Sequence, residues 1–258
     1  GNYGIMGIPS FTNSPGGRYN SSFCQNTDSL FYIIGGIGLE TTTIPQKMND
    51  VWVYNVKRNQ WTWLSGFNIN NLFGVFGEQK IQGKKFSPGA RAEMSIWSDN
   101  NNGLWVFGGY GNSEIDVGYL NDLWRYDLDK KEWKWVVGEK KANEYGNYGP
   151  KGIYSPTLSP GSRKKGMVLT DKGKNVWMIG GYGYGKYSTG NLNDVWKFDL
   201  QKQEWAYMTG SKFGNPTGIF NSLGLINTST VLSGKKEGNV WADTSGNIWV
   251  YGGEGMGY

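Results

Sequence analysis

The sequence predicts an all-β fold built from one unit repeated in tandem, and three observations support this prediction. Gly-Gly pairs recur at Gly35-Gly36, Gly108-Gly109, Gly180-Gly181 and Gly252-Gly253, in steps of 73, 72 and 72 residues. Polar and apolar residues alternate in short segments of each unit, as they do in half-buried strands. The chain also combines 13 Trp and 16 Tyr with 41 Gly, which is typical of short strands joined by turns. A fixed long period indicates a copied supersecondary unit.

Other landmarks repeat in the same register and set the expected boundaries. They are Asn49-Asp50, Asn121-Asp122 and Asn193-Asp194; Trp52, Trp124 and Trp196; Trp61, Trp133 and Trp205; and Arg18, Arg91, Arg163 and Lys235. We therefore expect a connecting segment at 1–17, complete repeats at 18–90, 91–162 and 163–234, and a partial fourth repeat at 235–258 that holds only its first two strands.

The second repeat shows how each element is predicted. Residues 91–98 are expected to form strand a, and 104–108 a short apolar strand b that ends in the Gly pair. A loop of about a dozen residues should lead to strand c at 122–128, and a tight polar turn to strand d at 133–137. The connection 138–160 then reaches the next repeat. Four short antiparallel strands in each repeat are typical of the blades of a β-propeller.

These residues resemble the kelch motif, in which a Gly pair is followed by Asn-Asp, an apolar residue, Trp, an aromatic residue and, after a turn, a second Trp. The matches are Gly35-Gly36 with Asn49 to Asn55 and Trp61, Gly108-Gly109 with Asn121 to Asp127 and Trp133, and Gly180-Gly181 with Asn193 to Asp199 and Trp205. The resemblance covers the whole chain and implies a kelch-type propeller. A typical kelch unit has about 50 residues, so these longer units are similar to those of secreted microbial kelch-like proteins.

The resemblance also implies a ring of about five to eight blades, which this chain is not expected to close by itself. The segment before Arg18 is a connection and cannot supply the missing strands c and d. Completion by other copies, by a longer chain or by open-ended stacking are the alternatives. Because Gly1 is an improbable native start, we expect a processed or excised N-terminus.

One face of the predicted blades should be rich in loops, because the b-to-c and d-to-a connections share it and both are long. Tyr, Gly and Asn are frequent there, which favours a contact surface for glycan or protein. The candidate binding residues are Tyr110, Tyr119, Tyr145, Tyr148, Tyr182, Tyr184 and Tyr187. The alternative is that these rings pack the long loops onto the blades.

Charged residues divide into repeated and scattered ones. Arg18, Arg91 and Arg163 are expected to pair with Asp50, Asp122 and Asp194, because a catalytic role would rarely be copied in every blade. The net charge is +5 and the pI about 9.0. The lysine pairs that give this charge either meet an anionic ligand or are solvated loop residues. They are Lys84-Lys85, Lys140-Lys141, Lys164-Lys165 and Lys235-Lys236.

Composition also bears on chemistry. The chain has no His and a single Cys, Cys24, which is expected to be a buried strand residue. Copper-radical sugar oxidases of kelch type need His and Tyr ligands and a Cys–Tyr crosslink, so that activity is excluded. No P-loop, nucleophile elbow or dinucleotide fingerprint is present. The sequence therefore predicts a protein that is not an enzyme and has no metal, no cofactor, no nucleic-acid partner and no membrane insertion.

The function predicted from these features is a structural or assembly role, as a subunit of an extracellular filament or multi-copy assembly. The alternative is a glycan- or protein-binding module of a larger secreted protein. An intracellular kelch adaptor would require BTB- or F-box-like helices, which this sequence does not contain. Two sequons, at Asn20 and Asn227, would permit N-glycans in a secretory setting.

Overall fold

All regular structure is β-strand in the computed structural model, which describes residues 1–27, 29–39, 44–99, 101–171, 175–222 and 229–255. The strands pair antiparallel, and no sheet in this part of the chain closes on itself. They belong to two units, Gly1–Ala142 and Asn143–Tyr258. The prediction of an all-β fold of repeated antiparallel sheets is confirmed.

The first unit begins with a five-stranded sheet in the order β1-β3-β4-β5, with β2 also paired to β3. Its strands are β1 (Arg18–Tyr19), β2 (Ser22–Thr27), β3 (Leu30–Gly38), β4 (Gln46–Asn55) and β5 (Gln60–Ser65). The expected single strand a is split into β1 and β2, because Asn20 between them has a left-handed backbone with φ 55°. Asparagine tolerates this conformation better than most residues.

The second sheet has six strands in the order β6-β11-β10-β9-β7, with β8 also paired to β9. They are β6 (Gln82–Gly83), β7 (Arg91–Ala92), β8 (Ser95–Ser98), β9 (Gly103–Asn112), β10 (Val117–Asp127) and β11 (Glu132–Val137). Strand β6 comes from the connection before the repeat and adds an outer edge that the four-strand prediction did not include. Glu93, with φ 60°, splits strand a here as Asn20 does in the first sheet.

Both sheets contribute to the core of the first unit. Its buried members are Tyr32, Ile34, Val51, Phe76, Met94, Ile96, Leu104, Val106, Trp124, Tyr126 and Trp133. Two side chains of the second sheet also bond to the end of β5: the Tyr126 hydroxyl donates to the Leu64 carbonyl at 3.0 Å, and the Trp133 indole donates to the Ser65 hydroxyl at 2.9 Å. The strand-d Trp133 therefore packs one sheet on the next, as the sequence predicts.

The second unit contains a third sheet that repeats the plan of the second. Its order is β12-β17-β16-β15-β13, with β14 also paired to β15. The strands are β12 (Tyr154–Ser155), β13 (Arg163–Lys164), β14 (Met167–Thr170), β15 (Val176–Tyr184), β16 (Thr189–Asp199) and β17 (Glu204–Thr209).

The remaining strands of the second unit form two separate pairs. Strand β18 (Lys235–Lys236) pairs with β21 (Glu254–Gly255), and β19 (Asn239–Ala242) pairs with β20 (Ile248–Tyr251). They have the positions of strands a and b in the other sheets. Their apolar core with the third sheet is small and includes Met167, Leu169 and Ile179.

Strands b and c are longer than predicted, and the loop between them is correspondingly shorter. In the second sheet β9 continues past the Gly pair to Asn112 and β10 begins at Val117. The expected loop of about a dozen residues is therefore a hairpin whose turn is residues 113–116. The pairing shifts register between Leu120 and Leu123, opposite the Gly pair. Gly108 and Gly109 have φ of 62° and 97°, which allows the strand to continue through this bulge.

The long connections before each strand a are ordered rather than free loops. Each contains a short antiparallel bridge, and these are Asn2 with Ser14, Val75 with Ser87, Asn147 with Ser159, and Ile219 with Val231. Each of the first three also sends an aromatic side chain, Tyr3, Phe76 or Tyr148, into the interior. The face that was expected to be thick and rich in loops is therefore largely built from hairpins and packed connections.

Candidate functional site

A buried ion pair lies at the centre of each complete repeat. The Arg91 guanidinium donates two hydrogen bonds to the Asp122 carboxylate, at 2.6 and 2.7 Å. It also donates to the carbonyls of Gly89 and Gly108, at 3.0 and 3.1 Å. Arg18 with Asp50 and Arg163 with Asp194 have the same geometry. The ion pairs predicted from the repeat are present, and each joins strand a, strand c and the first Gly of the pair.

The carboxylate of each pair is also used by aromatic neighbours. In the third sheet Asp194 accepts the Trp196 indole N–H at 2.7 Å and the Tyr148 hydroxyl at 2.6 Å. Burial and the adjacent Asp194 charge raise the pKa of Tyr148, so the phenol remains a donor. Burial alone would lower the pKa of Arg163, but the carboxylate outweighs it and raises that pKa. These groups satisfy one another, so the cluster organises the sheet and leaves no reactive group.

The Asn-Asp pairs and the strand-c tryptophans are structural for the same reason. The amide oxygen of Asn121 accepts the backbone N–H of Glu139 at 3.0 Å, which ties strand c to the end of strand d. Asn49 and Asn193 do the same with Phe67 and Ser211. The strand-c tryptophans, Trp52, Trp124 and Trp196, are fully buried. Of the strand-d tryptophans, Trp133 and Trp205 are buried and Trp61 is half-buried.

Six of the seven candidate binding tyrosines lie at least partly on the surface. Tyr110 on β9 and Tyr119 on β10 are cross-strand neighbours with ring centroids 5.4 Å apart. The other surface pairs are Tyr145 with Tyr184 at 5.1 Å and Tyr187 with Phe213 at 5.0 Å, while Tyr182 is half-buried on β15. These rings lie mainly on the extended hairpins rather than in loops.

Tyr148 is the exception and corrects the predicted binding face. Its side chain is only 5% exposed, and its ring packs on Trp196 with centroids 4.7 Å apart. It is held inside because its hydroxyl bonds to Asp194. The equivalent Tyr3 bonds to Asp50 in the same way, at 2.6 Å. The alternative interpretation, that a ring packs a connection onto the sheet, applies to this residue.

One surface cluster in the first unit contains polar groups that the repeat does not use. The Lys47 ammonium on β4 lies 5.3 Å from the centre of the Tyr110 ring, and that ring is 39% exposed. Partial burial lowers the pKa of Lys47, and no carboxylate of the described residues pairs with it. The side-chain amide of Asn70 is buried, and neither its nitrogen nor its oxygen has a hydrogen-bond partner.

The segment that carries Asn70 is fixed beside Lys47. The backbone N–H of Asn71 donates to the Lys47 carbonyl at 2.8 Å, and the Lys47 N–H donates to the Asn71 side chain at 3.2 Å. Asn112, two residues beyond Tyr110 on β9, donates its amide to the Asn71 carbonyl at 2.7 Å. We call Lys47, Asn70 and Tyr110 the Lys47 cluster. A buried amide without a partner is costly, so this place favours a polar ligand or ordered water.

The sequence analysis missed Lys47 and Asn70, although a signal for them exists. By strand pairing, Lys47 occupies the position of Tyr119 and Asn191, and one period separates Asn70 from Ala142 and Gly214. Both residues are departures from the repeat, whereas the analysis concentrated on what the repeat shares. Departures are where a function specific to one repeat would be found.

The lysine pairs are mostly engaged with acids. Lys140 lies 3.5 Å from Glu114, Lys165 pairs with Glu237, and Lys236 lies 3.0 Å from Glu254. Lys236 is also 5.4 Å from the Tyr182 ring, so it resembles Lys47 but has its charge compensated. The pairs therefore give little net positive surface.

Cys24 and the sequons have local outcomes. Cys24 is half-buried on β2 and faces the core of the first unit, and burial raises its pKa to about 12, so it is an unreactive thiol. Asn20 is exposed between β1 and β2, and its glycosylation stays a prediction. Asn227 lies outside the described residues. Within the described ranges, no three His, Cys, Asp or Glu side chains group as a metal site would require, and none of the chain there forms a long apolar helix that could span a bilayer.

Comparisons with known proteins place this geometry among kelch repeats. A family profile described as the KLHDC2/KLHL20/DRC7 Kelch-repeats domain matches residues 75–251, more than half of the chain. A solved structure of YjhT superposes with a TM-score of 0.52 at 17% identity, covering 88% of this chain and 57% of that one. The structural likeness shows a shared fold.

Curated relatives differ widely in name. Tip elongation aberrant protein 3 of Schizosaccharomyces pombe is 26% identical over 73% of this chain and 15% of its own length. N-acetylneuraminate epimerase of Escherichia coli K12 is 23% identical over 85% of this chain and 56% of its own length. This chain thus spans at most about half of the relatives it matches.

The prediction that this chain is not an enzyme is contradicted by the epimerase match, because a protein related over most of this chain is an enzyme by name. The absence of His excluded too much, since Lys, Tyr and carboxylate side chains also transfer protons. The ordered repeats, their Arg–Asp centres and the family match lead to one conclusion. The chain belongs to the kelch-repeat family and forms repeats of a kelch-type β-propeller.

Proposed function

We propose that this chain is part of a kelch-repeat propeller that binds an acidic sugar at the Lys47 cluster. The observation that carries the proposal is the buried Asn70 amide, which has no partner and lies next to a lysine that no described carboxylate neutralises. Buried polar groups are normally bonded, and an ordered ligand can supply the missing partner. A partly desolvated ammonium also gains more from an anion than a solvated one does.

The three groups match the chemistry of a sugar acid. N-acetylneuraminate, the compound in the name of the epimerase relatives, carries a carboxylate and an N-acetyl amide. Lys47 would pair with the carboxylate, and Asn70 could both donate to and accept from the amide. The exposed Tyr110 ring offers an apolar face for the sugar ring at a low cost in side-chain entropy.

Isothermal titration calorimetry with N-acetylneuraminate tests this proposal. We expect saturable binding that is absent for N-acetylglucosamine, which has no carboxylate. Lys47→Ala and Asn70→Ala should each weaken binding about tenfold, the loss expected for one charged or buried hydrogen bond. Lys236→Ala is the matched control, because Glu254 already compensates that lysine. Equal binding by the two sugars, or an equal loss in the control, would contradict the site.

The same sample tests for catalysis. The lowered pKa of Lys47 moves the amine towards the range in which a lysine can exchange protons. Proton NMR of N-acetylneuraminate incubated with the chain should show a second epimer if the bound sugar is turned over. Turnover that survives Lys47→Ala would place the chemistry elsewhere.

A second proposal is assembly with further polypeptide, as a subunit of a multi-copy or filamentous structure outside the cell. It is favoured by the aromatic side chains that β19 and β20 leave exposed, Trp241, Trp249 and Tyr251. Negative-stain electron microscopy at native concentration should then show rings or filaments. Discrete single particles would contradict this second role without affecting sugar binding.

A further inference from the structure

The β18–β21 strands present aromatic side chains that the other sheets bury. Trp241 and Trp249 stack with centroids 6.5 Å apart and are 48% and 51% exposed. Trp97 and Trp105 form the same stacked pair in the second sheet, at 5.9 Å, and are 5% and 2% exposed. The pair is thus built in the same way in both sheets but is covered in only one of them.

Strand c supplies the cover in the complete sheets. The Arg125 guanidinium on β10 lies 5.9 Å from the centre of the Trp105 ring. The Lys197 ammonium on β16 lies 5.0 Å from the Trp177 ring. In both, the cation directly follows the buried strand-c Trp. A cation over an indole face is a favourable contact, so Trp249 offers a place for a third such cation.

Lys235 shows what charge the missing cover should have. It occupies the position of Arg163, and its ammonium donates to the Gly252 carbonyl at 3.3 Å, as Arg163 donates to Gly180 at 3.0 Å. Arg163 also holds the Asp194 carboxylate, whereas no carboxylate of the described residues pairs with Lys235. The surface therefore has a cation oriented for an acid from strand c.

Phe220 shows what apolar group is expected. It occupies the position of Tyr148, whose ring packs on Trp196 with centroids 4.7 Å apart. Tyr148 is 5% exposed and Phe220 is 51% exposed. Large exposed aromatic groups that lie together in this way mark an interaction surface.

We propose that the β18–β21 surface binds a two-stranded β-hairpin from other polypeptide, whose first strand carries an Asp, a Trp two residues later and then a Lys or Arg. The Asp would pair with Lys235, the Trp would pack on Phe220, and the cation would lie over Trp249. The edge of β20 would supply the backbone hydrogen bonds of strand addition. The proposal rests on the assembly role only in using the same surface.

A second copy of the chain is not the expected occupant. The strands of this chain with the required pattern are β4, β10 and β16, and each is already the central strand c of its own sheet. Donating one would expose a fully buried Trp, namely Trp52, Trp124 or Trp196. A separate segment with the same pattern avoids that cost.

A synthetic peptide of residues 191–210, which has the pattern at Asp194, Trp196 and Lys197, is a suitable probe. Fluorescence anisotropy of the labelled peptide should show saturable binding to the full chain. A peptide with Asp194→Asn or Trp196→Ala should bind about tenfold more weakly or worse. Lys235→Arg in the chain should tighten binding, because a guanidinium can hold the carboxylate with two bonds. Lys84→Ala is the control in the chain and should change nothing.

Hydrogen exchange locates the bound peptide, and amides 248–251 should become protected when it binds. No binding, equal binding of the Asp194→Asn peptide, or protection elsewhere would overturn the proposal. Sedimentation of the chain alone separates the outcomes. A monomer that binds the peptide supports the hairpin even where no filament forms, and self-association that protects 248–251 without peptide would identify a second copy instead.

Discussion

The third sheet and the β18–β21 strands of the second unit share a sequence pattern but differ in what they bury. Ile179 on β15 is 3% exposed, and Tyr251, one period later, is 71% exposed. Arg163 is bonded to a carboxylate on both arms, and Lys235 is bonded to a carbonyl alone. The difference is β16 and β17, which have no counterpart beside β20. Strands a and b of a repeat therefore acquire a core only when strand c contributes its Asp and Trp.

The largest difference should appear when the central cations are removed. Arg163→Ala leaves the buried Asp194 carboxylate without its cation, so the free energy of unfolding should fall by about 3–5 kcal/mol. Lys235→Ala, at the equivalent place, should cost less than about 0.5 kcal/mol because that side chain holds no carboxylate. Urea denaturation measures both. Equal losses would mean that Lys235 has a partner in solution.

Apolar truncation should separate the two regions next. Ile179→Ala removes buried methyl and methylene groups, and the free energy of unfolding should fall by about 2–5 kcal/mol. Tyr251→Ala removes an exposed ring and should change it by about 0.5 kcal/mol or less. Thermal denaturation of both variants gives the comparison. A large loss for Tyr251→Ala would show that this ring is covered.

The first glycine of each pair offers a matched test of crowding. Gly180 has φ +59°, and a Cβ there would lie 2.5 Å from the Lys235 carbonyl oxygen and 2.6 Å from that of Leu192. Gly252 has φ +69° with nothing within 4 Å of such a Cβ. Gly252→Ala should cost about 1 kcal/mol of backbone strain, and Gly180→Ala about 2–4 kcal/mol because overpacking adds to the strain. Similar losses in chemical denaturation would contradict this account.

The phenol at the centre of the third sheet should have a smaller effect. Tyr148→Phe removes one hydrogen bond to Asp194, so unfolding should become easier by about 1–3 kcal/mol. The ring itself is tolerated, because Phe76 occupies the equivalent position in the second sheet. Tyr187→Phe on the surface is the control and should leave the melting temperature unchanged.

The smallest effect concerns acid. Burial would raise the pKa of Asp171, but hydrogen bonds from Trp177 and Asn175 lower it below its ordinary value. A carboxyl whose folded pKa is lowered stabilises the fold above its unfolded pKa of about 3.9, and this stabilisation is lost as the pH falls through the folded pKa. Asp171→Asn should flatten the stability profile between about pH 4 and 2. Asp243, at the same position, has a pKa of about 2 because of hydrogen bonds from Asn247 and Trp249, and its Asn variant should behave alike. An unchanged acid limb in both variants would contradict these assignments.

Repetition determines which parts of this structure could be predicted. The Arg–Asp pairs, the Gly pairs and the buried tryptophans recur with a constant step, so their structural role follows from the sequence alone. The extension of β9 and β10 past the Gly pair could not be predicted, because Gly-Tyr-Gly segments lack a clear alternation of polar and apolar residues. The interior position of Tyr148 depends on a hydrogen bond to a residue 46 positions away. The Lys47 cluster was missed because it occurs once.

Hydrogen exchange of the chain alone tests the central claim most directly, namely that strand c completes the core of each repeat. Amides 176–179 on β15 are paired on both sides, and amides 248–251 on β20 are paired to β19 only. We predict protection for 248–251 that is about 100-fold weaker or less, since such edges open locally at little cost. Equal protection of the two segments would contradict the account, because β20 would then have a core without strand c.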